Sequence, residues 1–130
     1  MRAAALDEVV AHAREEAPRE CCGLLLGVAN RVESAFRARN ALDSFTSYLV
    51  EPEDHFAAIR AARSRRLAVI GAYHSHPAAP ADASPRDIAE AAYPDFIYLI
   101  VALGSAGPPD VRAYQPEGGN FRVLELVRLT

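Results

Sequence analysis

Phe96-Ile97-Tyr98-Leu99-Ile100-Val101-Ala102-Leu103 is an unbroken run of aliphatic and aromatic residues with no charge and no alternation of apolar with polar positions. A strand with one wet face alternates apolar and polar residues, so an unbroken run belongs in the middle of a sheet covered on both sides. Two further runs obey the same logic. Glu20 to Val28 is charged only at its first residue, and Leu67-Ala68-Val69-Ile70 leads into Gly71-Ala72-Tyr73-His74-Ser75-His76-Pro77. The sheet therefore needs a layer on each face, and the chain supplies helices for that purpose.

Ala3 to Ala17 places Leu6, Val9, Val10 and Ala13 at helical spacing, with Pro18 as its stop. His12 lies off that stripe and is expected to be solvated. A second helix opens at Pro52, with Glu53 and Asp54 in its first turn and Arg60, Arg63, Arg65 and Arg66 toward its end, as the helix dipole prefers. Phe56 and Ile59 are its expected core face, and His55 is expected to be exposed. Arg31 to Asn40 reads as a strand paired with the first through Ala29-Asn30, and Tyr48-Leu49-Val50 as a short strand. Gly104 to Asp110 is a glycine- and proline-rich turn, after which Val111 to Gln115 and Phe121 to Leu129 close the sheet around Pro116-Glu117-Gly118-Gly119. With no repeat and no linker, residues 1–130 are expected to form one domain, an α/β or α+β fold with a mixed sheet flanked by helices.

The chemistry gathers after the Leu67–Ile70 run. Side chains alternate along a strand, so His74 and His76 point the same way with Cα atoms roughly 6–7 Å apart, close enough to share one ion. Pro77 then ends the ladder. A short loop leads to Ser84-Pro85-Arg86-Asp87, a serine cap followed by proline at the first helical position. Asp87 in that first turn can look back at the histidines, completing two nitrogens and one oxygen with a fourth position open to water. The same Ser84 and Asp87 also satisfy a capping box, which needs no metal.

The string His74-Ser75-His76-Pro77, six residues, Ser84, two residues, Asp87 resembles the H-x-H-P-x6-S-x-x-D motif of the JAMM (MPN+) metalloproteases. Pro18-Arg19-Glu20-Cys21-Cys22-Gly23-Leu24-Leu25-Leu26-Gly27 is similar to that family's upstream glutamate segment. The resemblance implies an MPN, cytidine-deaminase-like architecture and a zinc ion on His74, His76 and Asp87. It also implies Glu20 as catalytic base and Ser84 as a donor to the oxyanion. Implied substrates are ubiquitin-like or sulfur-carrier proteins with an extended Gly-Gly tail, cleaved at a peptide or isopeptide bond. Small single-domain bacterial members are the most similar, and a homodimer is compatible with the pattern.

Composition narrows the alternatives. A net charge of −3 and a pI near 5.8 lack the basic footprint of a nucleic-acid binder. No apolar run approaches the ~20 residues of a membrane span, and the amino terminus lacks a signal-peptide core, so a cytoplasmic protein is expected. All fourteen basic residues besides histidine are arginine, leaving no lysine side chain as an acceptor for isopeptide conjugation. Cys21 and Cys22 are adjacent and read as reduced packing residues. A zinc deaminase would need a glutamate two residues after a histidine and a later C-x-x-C, and neither is present. A hydrolase built on Cys22 and a non-catalytic MPN-type interaction scaffold are the other readings.

Overall fold

The computed structural model describes residues 1–104 and 107–130. Its elements run α1 (Ala3–Glu16), β1 (Cys22–Val28), β2 (Arg31–Ala38), α2 (Pro52–Ser64), β3 (Ala68–His76), α3 (Pro85–Glu90), β4 (Ile97–Ala102), β5 (Asp110–Glu117) and β6 (Asn120–Leu124). The expected Gly104 to Asp110 turn takes in residues 105 and 106, which lie outside the described residues.

One sheet of order β2-β1-β3-β4-β5-β6 holds all six strands, and β3–β4 is its parallel pair. Within the apolar run, β4 itself (Ile97–Ala102) is buried at every position, while Phe96 and Leu103 at its ends are partly buried. Alternation along the central strands divides the core in two. Leu25, Tyr73, Leu99 and Val101 face α1 with its Val9 and Ala13. Leu24, Leu26, Ala72 and Tyr98 face the opposite way, toward Ala58 and Ala62 of α2. The β3–β4 crossover carries α3, so the carboxyl end of β3 opens into the connection that crosses the sheet, where open α/β sheets place their ligands.

Four expectations give way here. Tyr48-Leu49-Val50 is no strand: Val50 makes only an isolated bridge with Asn40. β6 stops at Leu124 because the chain then turns to pack Leu126 against the α1 side of the core, and Leu129 returns as an isolated bridge to Arg2. Phe56 is 62% exposed, while α2 meets the sheet through two small buried residues, Ala58 and Ala62, one turn apart. His55 is half-buried and meets the Tyr93 ring edge-on.

His12 is also not solvated. It is 4% exposed, and its Nδ1 lies 2.8 Å from the Tyr73 hydroxyl across the α1–β3 contact. The Tyr73 ring fits there because residue 23 has no side chain: a Cβ on Gly23 would stand 2.3 Å from it. Burial, reinforced by the Arg37 guanidinium, lowers the His12 pKa below 6.5. The folded protein therefore binds a proton at His12 less readily than the unfolded chain, and this contribution to stability is present above about pH 6.5 and lost as pH falls below it. Urea unfolding at pH 7.5 and pH 5.5 should show a loss of stability on acidification that is smaller in His12→Gln, which cannot titrate. An identical loss in both proteins would refute the assignment.

Candidate metal centre

Sheet register brings the first two parts of the site together. Cys22 of β1 pairs with His74 of β3. The contact continues beyond the ladder, where the Ser75 N–H donates to the Cys21 carbonyl at 3.1 Å and the Cys21 N–H donates to Ser75 Oγ at 2.8 Å. Ser75 thus faces away from the histidines and stitches two strands. Glu20, one residue further, is carried to the face that presents His74 and His76. Its N–H donates to the Ser44 carbonyl and its own carbonyl accepts from the Asn40 amide, so the backbone beneath the carboxylate is held on both sides.

The third part arrives with α3. Ser84 caps it: Ser84 Oγ accepts from the Asp87 N–H at 3.1 Å, and Asp87 Oδ2 accepts from the Ser84 N–H at 2.8 Å. The capping box and a histidine-facing carboxylate are not alternatives, because one side chain does both. Asp87 Oδ1 lies 3.0 Å from His74 Nε2 and Asp87 Oδ2 lies 3.1 Å from His76 Nε2, while the two Nε2 atoms are 3.3 Å apart. Glu20 Oε1 stands back at 3.9 Å from His74 Nε2. Since the Ser84 hydroxyl oxygen accepts from the backbone, its proton remains free to be donated elsewhere.

These separations can be tested against a cation. Ligands about 2.0–2.1 Å from a tetrahedral zinc are separated by about 3.3 Å along each edge; the two Nε2 atoms are at that spacing, and each faces its own oxygen of the Asp87 carboxylate at 3.0–3.1 Å. The hydrogen-bond logic agrees. His76 Nδ1 lies 2.7 Å from the Pro80 carbonyl, which can only accept, so Nδ1 carries the proton. Without a metal, a protonated His76 donates from Nε2 to Asp87 at 3.1 Å as well as from Nδ1 to Pro80; a cation bound there would take the place of that Nε2 proton. The donor set fits a divalent metal of zinc's preferences. Glu20, His74 and His76 form a second possible three-donor set, with Glu20 Oε1 3.9 Å from His74 Nε2.

Burial sets the protonation states. Glu20 is 4% exposed, and desolvation pushes its carboxyl up to about 7, against the pull of His76. Burial opposes the charge on Asp87 too, yet the hydrogen bonds from His74 and His76 hold it well below the usual carboxylate range. Burial lowers His74, despite its Asp87 partner. His76, more open, is raised: burial works against its cation, but Asp87 and the Pro80 carbonyl prevail. The two cysteines beside the site are buried, and desolvation raises both, Cys21 to about 11 and Cys22 to about 12, which removes the thiolate that a nucleophile requires.

Sequence reasoning missed Tyr48, whose ring stacks on His74 at 4.3 Å between centroids and 18° between planes. Nothing in the polar segment around it signals that contact. An apolar cleft of about 840 Å³ begins at Tyr48 and runs past Leu49, Phe56, Ile59, Tyr93 and Phe96.

Known proteins resemble the chain along nearly its whole length. Residues 2–117 match the family model described as prokaryotic homologs of the JAB domain. A desampylase of Haloferax volcanii is 33% identical over 97% of this chain and 93% of its own. The CysO-cysteine peptidase of Mycobacterium tuberculosis is 32% identical over 88% of this chain and 80% of its own. A protein of Desulfitobacterium hafniense with a known solution structure superposes with a TM-score of 0.88 at 29% identity, covering 96% of this chain and 88% of that one.

Proposed function

The chain belongs to the prokaryotic JAB-domain family, and from that premise we propose that it is a zinc-dependent peptidase or isopeptidase acting after the Gly-Gly tail of a small ubiquitin-like or sulfur-carrier protein. The supporting observation is the convergence of His74 Nε2, His76 Nε2 and the two Asp87 carboxylate oxygens through contacts of 3.0–3.3 Å, with the buried Glu20 carboxyl 3.9 Å from His74 Nε2. The resemblance of the whole chain to proteins named as a desampylase and a peptidase supports the substrate class.

His74, His76 and Asp87 would hold the ion. A zinc ion bound there supplies Lewis acidity, enough to bring the pKa of a water from 15.7 to about 7. Glu20 receives the proton of the attacking water and returns it to the departing amine, a task suited to a carboxyl whose pKa burial has lifted to about 7. Ser84, its hydroxyl proton unclaimed by the helix cap, donates to the oxyanion that develops on the scissile carbonyl, where one such donor is typically worth about 3–4 kcal/mol.

The direct test is intact-mass measurement after incubating zinc-loaded protein with carrier proteins extended beyond, or isopeptide-linked through, a terminal Gly-Gly. Release of the carrier ending in Gly-Gly is expected, lost with a chelator and restored by zinc. Cleavage that persists in chelator but disappears on thiol alkylation would move the chemistry to a cysteine. Carrier binding without cleavage in the presence of zinc would favour the interaction scaffold.

Among the described residues, no helix is long and apolar enough to cross a membrane.

A further inference from the structure

The two histidines of the site are held in different ways. His76 is fixed by a polar partner, Nδ1 donating to the Pro80 carbonyl. His74 has no such anchor: its Nδ1 is buried and finds no hydrogen-bond partner among the described residues. A ligating imidazole whose second nitrogen is idle can tilt and swing about χ2 unless packing prevents it. The flat surface against its ring is Tyr48, nearly parallel at 18° and 4.3 Å away.

The Asn40 side chain helps to hold Tyr48 by bonding the residues on either side of it. The Asn40 amide donates to the Ser47 carbonyl at 2.9 Å and to the Glu20 carbonyl at 3.1 Å, while its oxygen accepts from Leu49 N–H at 3.0 Å. Asn40 therefore grips the residues on either side of Tyr48 and, through the same amide, the backbone of Glu20. The stacked ring and the buried carboxylate are referred to a common point in the chain.

We propose that Tyr48 is a positioning residue: its ring, clamped through Asn40, sets the plane of the His74 imidazole in place of the hydrogen bond that His74 lacks. The inference rests on His74 being a metal ligand. It concerns the ring and not the hydroxyl, so Tyr48→Phe should behave as the parent and Tyr48→Leu should not.

Two measurements decide it. In metal-free protein, proton NMR of the His74 ring should show the upfield displacement produced by an overlying aromatic ring. That displacement should remain in Tyr48→Phe and vanish in Tyr48→Leu. Competition against a chromophoric chelator should then give zinc affinity within about twofold of the parent for Tyr48→Phe and weakened about tenfold or more for Tyr48→Leu, the scale on which contacts behind ligating histidines act. The visible absorption of the cobalt-loaded proteins should divide them the same way. If Tyr48→Leu lacks the parent's folded amide spectrum, Asn40→Ala, which keeps the ring but removes the hydrogen bonds to Ser47 and Leu49, takes its place: a reduced upfield displacement with weakened zinc binding is expected, and a reduced displacement with parent-like zinc binding would overturn the inference. Parent-like affinity and cobalt spectrum in folded Tyr48→Leu, or equal losses in Tyr48→Phe, would overturn the inference. A parent protein that binds neither metal would instead overturn the metal centre on which it stands.

Discussion

Glu20→Gln is expected to bind zinc as tightly as the parent protein while losing turnover by about 10²–10⁴-fold, the range that a positioned general base contributes. The substitution preserves shape and removes only the site's ability to take up a proton. Glu20 sits 3.9 Å from His74 Nε2, farther than the 3.0–3.3 Å contacts among His74, His76 and Asp87, which is why the metal should not notice the change. Intact-mass kinetics on a Gly-Gly-tailed substrate and chelator competition read the two halves independently. Parent-like turnover would remove Glu20 from the proton's path. A large loss of zinc affinity would instead make it a ligand, in the second set with the two histidines.

Asp87→Asn should do the converse. The amide oxygen can still accept from the Ser84 N–H, so the start of α3 survives, but the negative charge facing both imidazoles is gone. Zinc affinity should fall by about 10²-fold or more, on the order of 3 kcal/mol, a ligand's share of the roughly 10–16 kcal/mol with which four ligands hold structural zinc. Asp87→Ala should lose the metal similarly and, in addition, destabilise the metal-free protein by about 0.3–1 kcal/mol through loss of the N3 carboxylate that accepts from the Ser84 N–H, the Ser84 Oγ cap itself remaining. Zinc competition with urea unfolding of the metal-free proteins separates these effects. An Asp87→Asn protein with undiminished affinity would sink the ligand assignment.

The elements of the site were legible because they depend on local rules. Period-two alternation puts His74 and His76 on one face whatever the rest of the molecule does, and Ser84-Pro85 starts a helix with Asp87 in its first turn. Apolar runs likewise announced the buried strands. Contacts across the sequence were less visible. His12 falls off the apolar stripe of α1, yet it is buried because its partner, the Tyr73 hydroxyl 61 residues away, satisfies its ring nitrogen. Phe56 looked like core on helical periodicity, but α2 meets the sheet through the smaller Ala58 and Ala62 and leaves the ring in the cleft. Tyr48 sits in a segment without regular structure, placed over His74 by long-range bonds from the Asn40 side chain and from the Ala41 N–H to the Leu49 carbonyl.

Residue type and spacing were enough to specify which donors exist, the strand and helix that carry them, and the architecture able to bury three apolar runs. The folded chain alone settled how near those donors come, that one aspartate serves both a helix cap and two imidazoles, and that Glu20 stands nearly an ångström further off. The physical reason is range: backbone periodicity and capping act over a few residues, whereas desolvation, ring stacking and the convergence of donor atoms arise only when β1, β3 and α3 are packed against one another.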